Sequence, residues 1–314
     1  MSIVTGVLLG TLAETTPLLY TSLGETVAQR AGVINVGLEG ILLASAFTAS
    51  LTTYHIGNPY IGVGIGMLTG VAFALLFGFF ALVLHADQVV TGVVFNLFAL
   101  GITGTLYRFL FALHDKSLIT AQLPLLHHTV TLLTPLALPA VALVWWWLYS
   151  TRSGLELRAC GEQPLAADAA GISVRRTRAI ALIFDGAMAG IAGAFLSVAD
   201  SNTFVPNMSA GKGFIALAIV TAGRWNPIGC LVASLLFGFT NALQFQAQAL
   251  GFDGLYRHIA AIFHLTTLLH RLNLDHFPYQ LFLALPYLVT MLILFGSSRS
   301  TRAPAALGRP YRKE

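Results

Sequence analysis

The chain has 314 residues, of which 56% are hydrophobic and only 10% charged, and its mean hydropathy is +0.77. Soluble domains carry about 25% charged residues, so a deficit spread along the whole length excludes a water-soluble core and describes an all-α polytopic membrane protein. The net charge of +4 does not point to nucleic acid, because its positive groups cluster beside apolar runs, as membrane orientation requires.

A helix needs about 20 apolar residues to cross a bilayer. The first candidate covers residues 3–28 and is broken by Glu14-Thr15-Thr16-Pro17, since proline removes a backbone donor and kinks a helix. No Lys or Arg precedes Arg30, so this run lacks the charged front of a cleavable signal peptide and is read as a first span. The stretch QRAGVINVGLEG follows, with three glycines around Asn35 and Glu39. A second span then runs to about Tyr54, a third covers residues 62–84 without a charge, and a fourth covers 89–113 with Asn96 inside it. Residues 114–129 form a polar loop, expected outside. The fifth span ends near Tyr149, where Trp145, Trp146 and Trp147 mark its exit through the interface.

Next comes the longest polar interval between apolar runs, GLELRACGEQPLAADAAGISVRRTR, with Arg152 just before it. Short loops rich in Lys and Arg stay in the cytoplasm, so this loop is expected to be cytoplasmic and to receive a soluble partner. A sixth span covers 179–199, with Gly186, Gly190 and Gly193 permitting close helix approach. Residues 213–222 are too short to cross with ease and precede a break at Gly223-Arg224-Trp225-Asn226-Pro227, a full span to about Ala249, a histidine-rich mixed stretch to Tyr279, and a last span at 280–295. The whole is roughly 8–10 membrane helices with broken or re-entrant segments. The N-terminus falls outside, the basic tail inside, and most of the 17 Lys and Arg inside. Cys160 and Cys230 are expected as free thiols on the cytoplasmic side.

No catalytic set is present. GKG at residues 211–213 lacks the Ser or Thr of a Walker A loop, and neither HExxH nor GxSxG occurs. No metal site is expected: His258, His264 and His270 recur every six residues, which does not place them on one helix face. The intramembrane polar residues are better leads. Charged groups at membrane depth are costly and usually face a bundle interior or a watery cavity. Glu39 beside the glycine-rich break, Asp185 in the sixth span, and the amides Asn35, Asn96 and Asn241 qualify. Asn35, Glu39, Asn96 and Asn241 are candidates for the solute path, with helix locking by hydrogen bonds as the alternative; for Asp185 packing is the favoured reading.

GVINVGLEGILL at 32–43, LRACGEQPLAADAAGI at 157–172, AGKGFIALAIVTAGRWNPIG at 210–229 and the tail STRAPAALGRPY at 300–311 resemble, together and in this order, the membrane subunits of bacterial ABC importers for nucleosides and simple sugars. These belong to the branched-chain amino acid/ribose permease superfamily. The resemblance covers nearly the whole chain. It implies a single permease domain over 1–314 in the bacterial plasma membrane and no cofactor in this chain, ATP and Mg being bound by partner ATPase subunits. It also implies a second homologous permease subunit and an extracytoplasmic solute-binding protein. An ion-gradient-driven carrier using Glu39 or Asp185 is the alternative from another class. The coupling helix is implied within 151–178, carried by Arg158, Gly161, Glu162, Ala166, Ala167, Asp168 and Gly171. The residues suit it: Gln163-Pro164 opens a helix, alanines sustain it and allow close docking, with Ala167 placed on the docking face, and Gly171 ends it. Arg158, Glu162 and Asp168 are expected to orient the docking by charge.

Overall fold

A computed structural model describes residues 3–111, 118–127, 130–250 and 303–311, together with Leu288 and Met291. The long helices are α1 (Ile3–Arg30), α2 (Leu38–Ile56), α3 (Pro59–Gly78), α4 (Gln88–Leu110), α5 (Leu133–Ser150), α8 (Val174–Ala194) and α10 (Pro227–Leu250). Three are short: α6 (Arg152–Glu162), α7 (Pro164–Ala169) and α9 (Lys212–Ala222). A two-stranded antiparallel hairpin, β1 (Leu125–His127) and β2 (Val130–Thr131), sits in the loop before α5. The stretches Phe79–Val83 and Phe195–Asp200 prolong α3 and α8 as π-helical turns. Among the described residues, five helices (α3, α4, α5, α8 and α10) are long and apolar enough to cross a membrane. The chain is an all-α, multi-pass membrane protein. The span expected at 280–295, apart from Leu288 and Met291, and the three spaced histidines lie outside the described residues.

The helix ends follow local chemistry. Gly57 closes α2 in the left-handed conformation, φ 75°, and donates its N–H to Thr53. Asn58 then caps α3, with Pro59 in the first turn, and Asp87 caps α4 by accepting from Val89 and Val90. Trp147 donates to Ser153 across the junction between α5 and α6.

Two expectations are corrected. α1 is not broken at Pro17; it is one helix of 28 residues. Thr16 donates its hydroxyl to Leu12 O, one residue before the carbonyl that Pro17 leaves without its helical donor, and Thr21 donates to Pro17 O, inside a bundle where Pro17 is buried. The true interruption is residues 31–37. α8 starts at Val174 rather than Ala179, because Val174 is anchored against Cys160, Ala167 and Tyr311. Arg175, Arg176 and Arg178 are therefore the first turns of a helix, not a loop.

α1 and α2 form the interior. Leu18, Leu23, Val27, Leu42 and Ala46 have no exposed surface, while Leu97, Phe98, Leu143 and Trp146 on α4 and α5 turn apolar side chains outward, as lipid contact requires. α3 and α8 touch almost backbone to backbone. A methyl built on Gly186 would lie 2.5 Å from Ala74 Cβ, and one on Gly190 would lie 2.6 Å from Gly66 O. Gly101 on α4 has no heavy atom within 4 Å of a built methyl.

Gly190→Leu is therefore expected to cost at least the roughly 1–3 kcal/mol of an overpacked core and to lower the yield of monodisperse detergent-extracted protein. Gly101→Leu should leave yield and melting temperature near wild type; equal loss in both variants would contradict the packing.

Candidate functional site

Residues 31–37 leave the helix inside the bundle, where Ala31, Val33 and Asn35 are fully buried. Away from water each backbone polar group needs a protein partner, and side chains from distant helices supply many of them. Gln88 accepts from Ile34 N at 2.9 Å, and Glu25 accepts from Asn35 N at 3.1 Å. Asn96 serves both sides of the α2 start, donating to Val36 O at 2.9 Å and accepting from Gly40 N at 2.8 Å. Arg178 donates Nε to Ala31 O at 3.0 Å. Asn35 Oδ1 accepts from Gly37 N. α4 sits so close that a methyl on Gly92 would meet Gly37 N at 2.7 Å.

Behind the break runs a buried polar chain. Asn35 Nδ2 donates to Asp185 Oδ2 at 2.7 Å, Gln29 Nε2 donates to Glu25 Oε1 at 2.7 Å, and Trp225 Nε1 donates to Gln29 Oε1 at 2.6 Å. Glu25, Asn35 and Asp185 are wholly buried. Glu25 Oε2 and Asp185 Oδ1 meet no donor among the described residues.

In front of the break, Glu39 in the first turn of α2 accepts from Gly211 N and Gly213 N, both at 2.7 Å. It thereby satisfies two free amides at the start of α9, where a carboxylate is electrostatically favoured. Glu39, Asn96, Asn207 and Phe214 line a cavity of about 290 Å³ together with Val93 and Leu97, which are exposed on the outside of α4. Nearby, Lys212 pairs with Glu14 at 3.3 Å, both side chains largely buried.

The opposite end of the molecule gathers the arginine-rich segment, the start of α8 and the tail. A methyl on Gly161 would run into Arg30 O, so α6 abuts the end of α1. Arg158 stacks over the Tyr149 ring at 5.1 Å. α7 follows Gln163 and ends before Gly171, which is left-handed at φ 84°. Ala167 is buried against Cys160, Val174 and Tyr311, whereas Leu165 is 66% exposed. Burial pushes the Cys160 thiol above its ordinary range, against the opposing pull of a Thr177 hydrogen bond and the Arg178 charge.

Residues 7–294 match the family model described as "Branched-chain amino acid transport system / permease component". The chain belongs to that family. The permease is 31% identical to the guanosine ABC transporter permease protein NupQ of Bacillus subtilis, over 96% of this chain and 95% of that one. It is 37% identical to the nucleoside ABC transporter permease protein NupC of Lactococcus lactis, over 74% of this chain and 80% of the other. It is also 38% identical to a candidate glucose ABC transporter permease protein, TsgC13, of Haloferax volcanii, over 80% of each. No solved structure matches it.

Of the residues singled out by sequence, the permease brings Glu39 and Asn96 together at the cavity. Asn35 lies behind it, enclosed, with its backbone N–H and both side-chain polar atoms bonded to protein. Asn241 is half-buried on α10 and does not line the cavity. In the arginine-rich segment Glu162, Ala166 and Gly171 are exposed, Arg158 and Asp168 half-buried, and Gly161 and Ala167 buried. The placement of Ala167 on an outward docking face is thus corrected: its side chain points into the cluster that holds α7 down, and the outward face carries Leu165 and Ala166. Sequence reading missed Glu25, Gln88, Arg178 and Trp225. A run of arginines reads as solvated, and nothing local shows that Arg178 is 1% exposed with carbonyl partners.

Asn96→Leu leaves Val36 O and Gly40 N unpaired, at about 1–3 kcal/mol for each buried group, and is expected to lower the melting temperature of the purified permease clearly. Asn241→Leu should change it little. An unaltered melting temperature in Asn96→Leu would show that the start of α2 does not depend on this amide.

Proposed function

We propose that this chain is the membrane-spanning subunit of an ATP-binding cassette importer that moves a nucleoside or simple sugar across the cell membrane by alternating access. Family membership and the names of the relatives support that reading. The observation that carries it is α7: a short helix pinned from beneath by Ala167, presenting Leu165 and Ala166 outward, at the end of the molecule that holds the arginines. A transport subunit without a motor needs such a rigid projection for an ATPase to grip.

In this reading the chain is one permease domain over 1–314, and the coupling element lies within 151–178. ATP and Mg²⁺ sit in the partner ATPase subunits, a second homologous permease completes the pore, and an extracytoplasmic binding protein delivers the solute. The arginine-rich end and the C-terminal tail are cytoplasmic, as the positive-inside bias requires. Glu39 and Asn96 border the solute path, and Asn35 supports the break behind it. At the cavity the Asn96 amide and the Glu39 carboxylate are already held by backbone groups and the rest of the lining is mostly apolar, which leaves no free charge there for an ionic solute; Asn241 lies outside it. Family membership does not favour the ion-gradient-driven carrier.

Leu165→Arg and Ala166→Arg place a bulky charge on the outward face without touching the buried cluster. Each should leave the permease inserted, reduce co-purification of its cognate ATPase subunit and abolish solute-stimulated ATP hydrolysis. Wild-type ATPase recovery together with wild-type uptake would show that α7 is not the coupling element.

Orientation is tested at Ser173, exposed ahead of α8, rather than at Cys160, whose burial and raised thiol pKa leave little thiolate at neutral pH. With Cys160 and Cys230 replaced by Ser, Ser173→Cys should resist an impermeant maleimide in intact cells and react after permeabilisation. Labelling in intact cells would reverse the topology.

A further inference from the structure

The tail lies across the arginine-bearing end as a strap tied at four places. Ala305 N donates to Glu162 Oε2 at 3.3 Å, and Ala306 N donates to Gly161 O at 2.9 Å, at the junction of α6 and α7. Gly308 N donates to Gly32 O at 3.2 Å, inside the turn that ends α1. Arg178 Nη1 donates to Arg309 O at 3.0 Å, and Tyr311 O lies 3.0 Å from His85 Nε2 in the turn between α3 and α4. The Tyr311 ring is packed with Ala167 and Val174, and Leu307 packs beside Trp225.

Between strap and α7 runs a groove of about 680 Å³. Glu162, Leu165 and Ala166 form one wall; Ala305, Arg309 and Pro310 form the other. Its lining is mostly apolar with one acid and one base, the composition of a protein-binding groove rather than of a site for a small anion. It is continuous with the outward face of α7.

We infer that this groove is the second half of the ATPase-docking surface, and that a segment of the ATPase subunit seats between α7 and the C-terminal strap. The inference rests on the reading of α7 as the coupling element and adds the tail to it. Because the strap hydrogen-bonds to both Gly161 and Gly32, an ATPase segment seated there bears at once on the coupling helix and on the edge of the helix break.

Ala305→Trp fills the groove from the strap side, where the residue is exposed and donates only its backbone N–H. Arg309→Glu reverses the charge there and leaves the Arg309 carbonyl available to Arg178. Both should insert normally, yet recover about tenfold less cognate ATPase subunit, the size of effect expected when a central contact of an interface is lost. Ala303→Trp, on the strap but outside the groove, should recover wild-type amounts. Wild-type recovery in Ala305→Trp and Arg309→Glu, with Leu165→Arg still uncoupled, overturns the groove and leaves the coupling reading standing. Wild-type recovery in Leu165→Arg as well removes both. Loss of permease–permease association with ATPase recovery intact would put a second permease copy in the groove and overturn the inference.

Discussion

The permease turns on one constraint: a stretch of backbone that is not helical, enclosed where water cannot reach it, must have its N–H and C=O groups met by protein. Residues 31–37 are that stretch. Their partners come from α1 (Glu25), α4 (Gln88 and Asn96), α8 (Arg178) and the tail (Gly308). The polar residues that look anomalous in so apolar a chain are largely those that the break demands. Their cost in a membrane is offset by a cost that would be greater, that of leaving several backbone groups unpaired.

The same constraint explains why α1 and α2 are the interior helices although α1 is the less apolar. α1 carries threonine and serine hydroxyls that bond its own carbonyls, so its polar side chains need no solvent. Lipid is met instead by helices such as α3, α4 and α5, whose exposed large side chains include Leu, Val, Ile, Phe and Trp. Close contact between α3 and α8 follows from glycines that admit backbone against backbone.

Much of this was legible in the sequence because it is written locally. Apolar runs, the polar turns between them, and the glycines around Asn35 placed the spans from residue 38 to 110 and the break within a few residues. Gln163-Pro164 and Gly171 bounded α7 correctly because helix ends obey nearest-neighbour chemistry. What failed was long-range. A six-residue helix of alanines has no periodic face to read, and the residue that settles which way Ala167 points is Tyr311, far along the chain. Pro17 reads as a break, whereas α1 runs through it as one helix with its middle buried in the bundle. Arg178 sits among solvated arginines and differs from them only by partners that are backbone atoms, which carry no signature in sequence.

α9 connects the two ends of the site. Its first amides are held by Glu39, and Trp225 just beyond its last turn is held by Gln29 through the indole and by Arg30, whose Nε donates to Trp225 O at 2.8 Å. Glu39 follows the break and Gln29 and Arg30 precede it, so α9 spans the break as a strut fastened on both sides. Gly161 of α6 presses on Arg30 at one end, and the cavity beside Asn96 opens at the other. A displacement at the arginine-bearing end therefore has two outcomes for the cavity. Either the end of α1, the break, α9 and the start of α2 move as one body, or the charge-assisted bonds of Glu39 or the Trp225–Gln29 bond are broken. Bonds to an ionised acceptor are the stronger kind, and here they also close a helix terminus. The rigid-body alternative keeps the Glu39 and Trp225 bonds, but Gln88 and Asn96 of α4 and Arg178 of α8 also hold the break, so the body can move whole only if those side chains move with it.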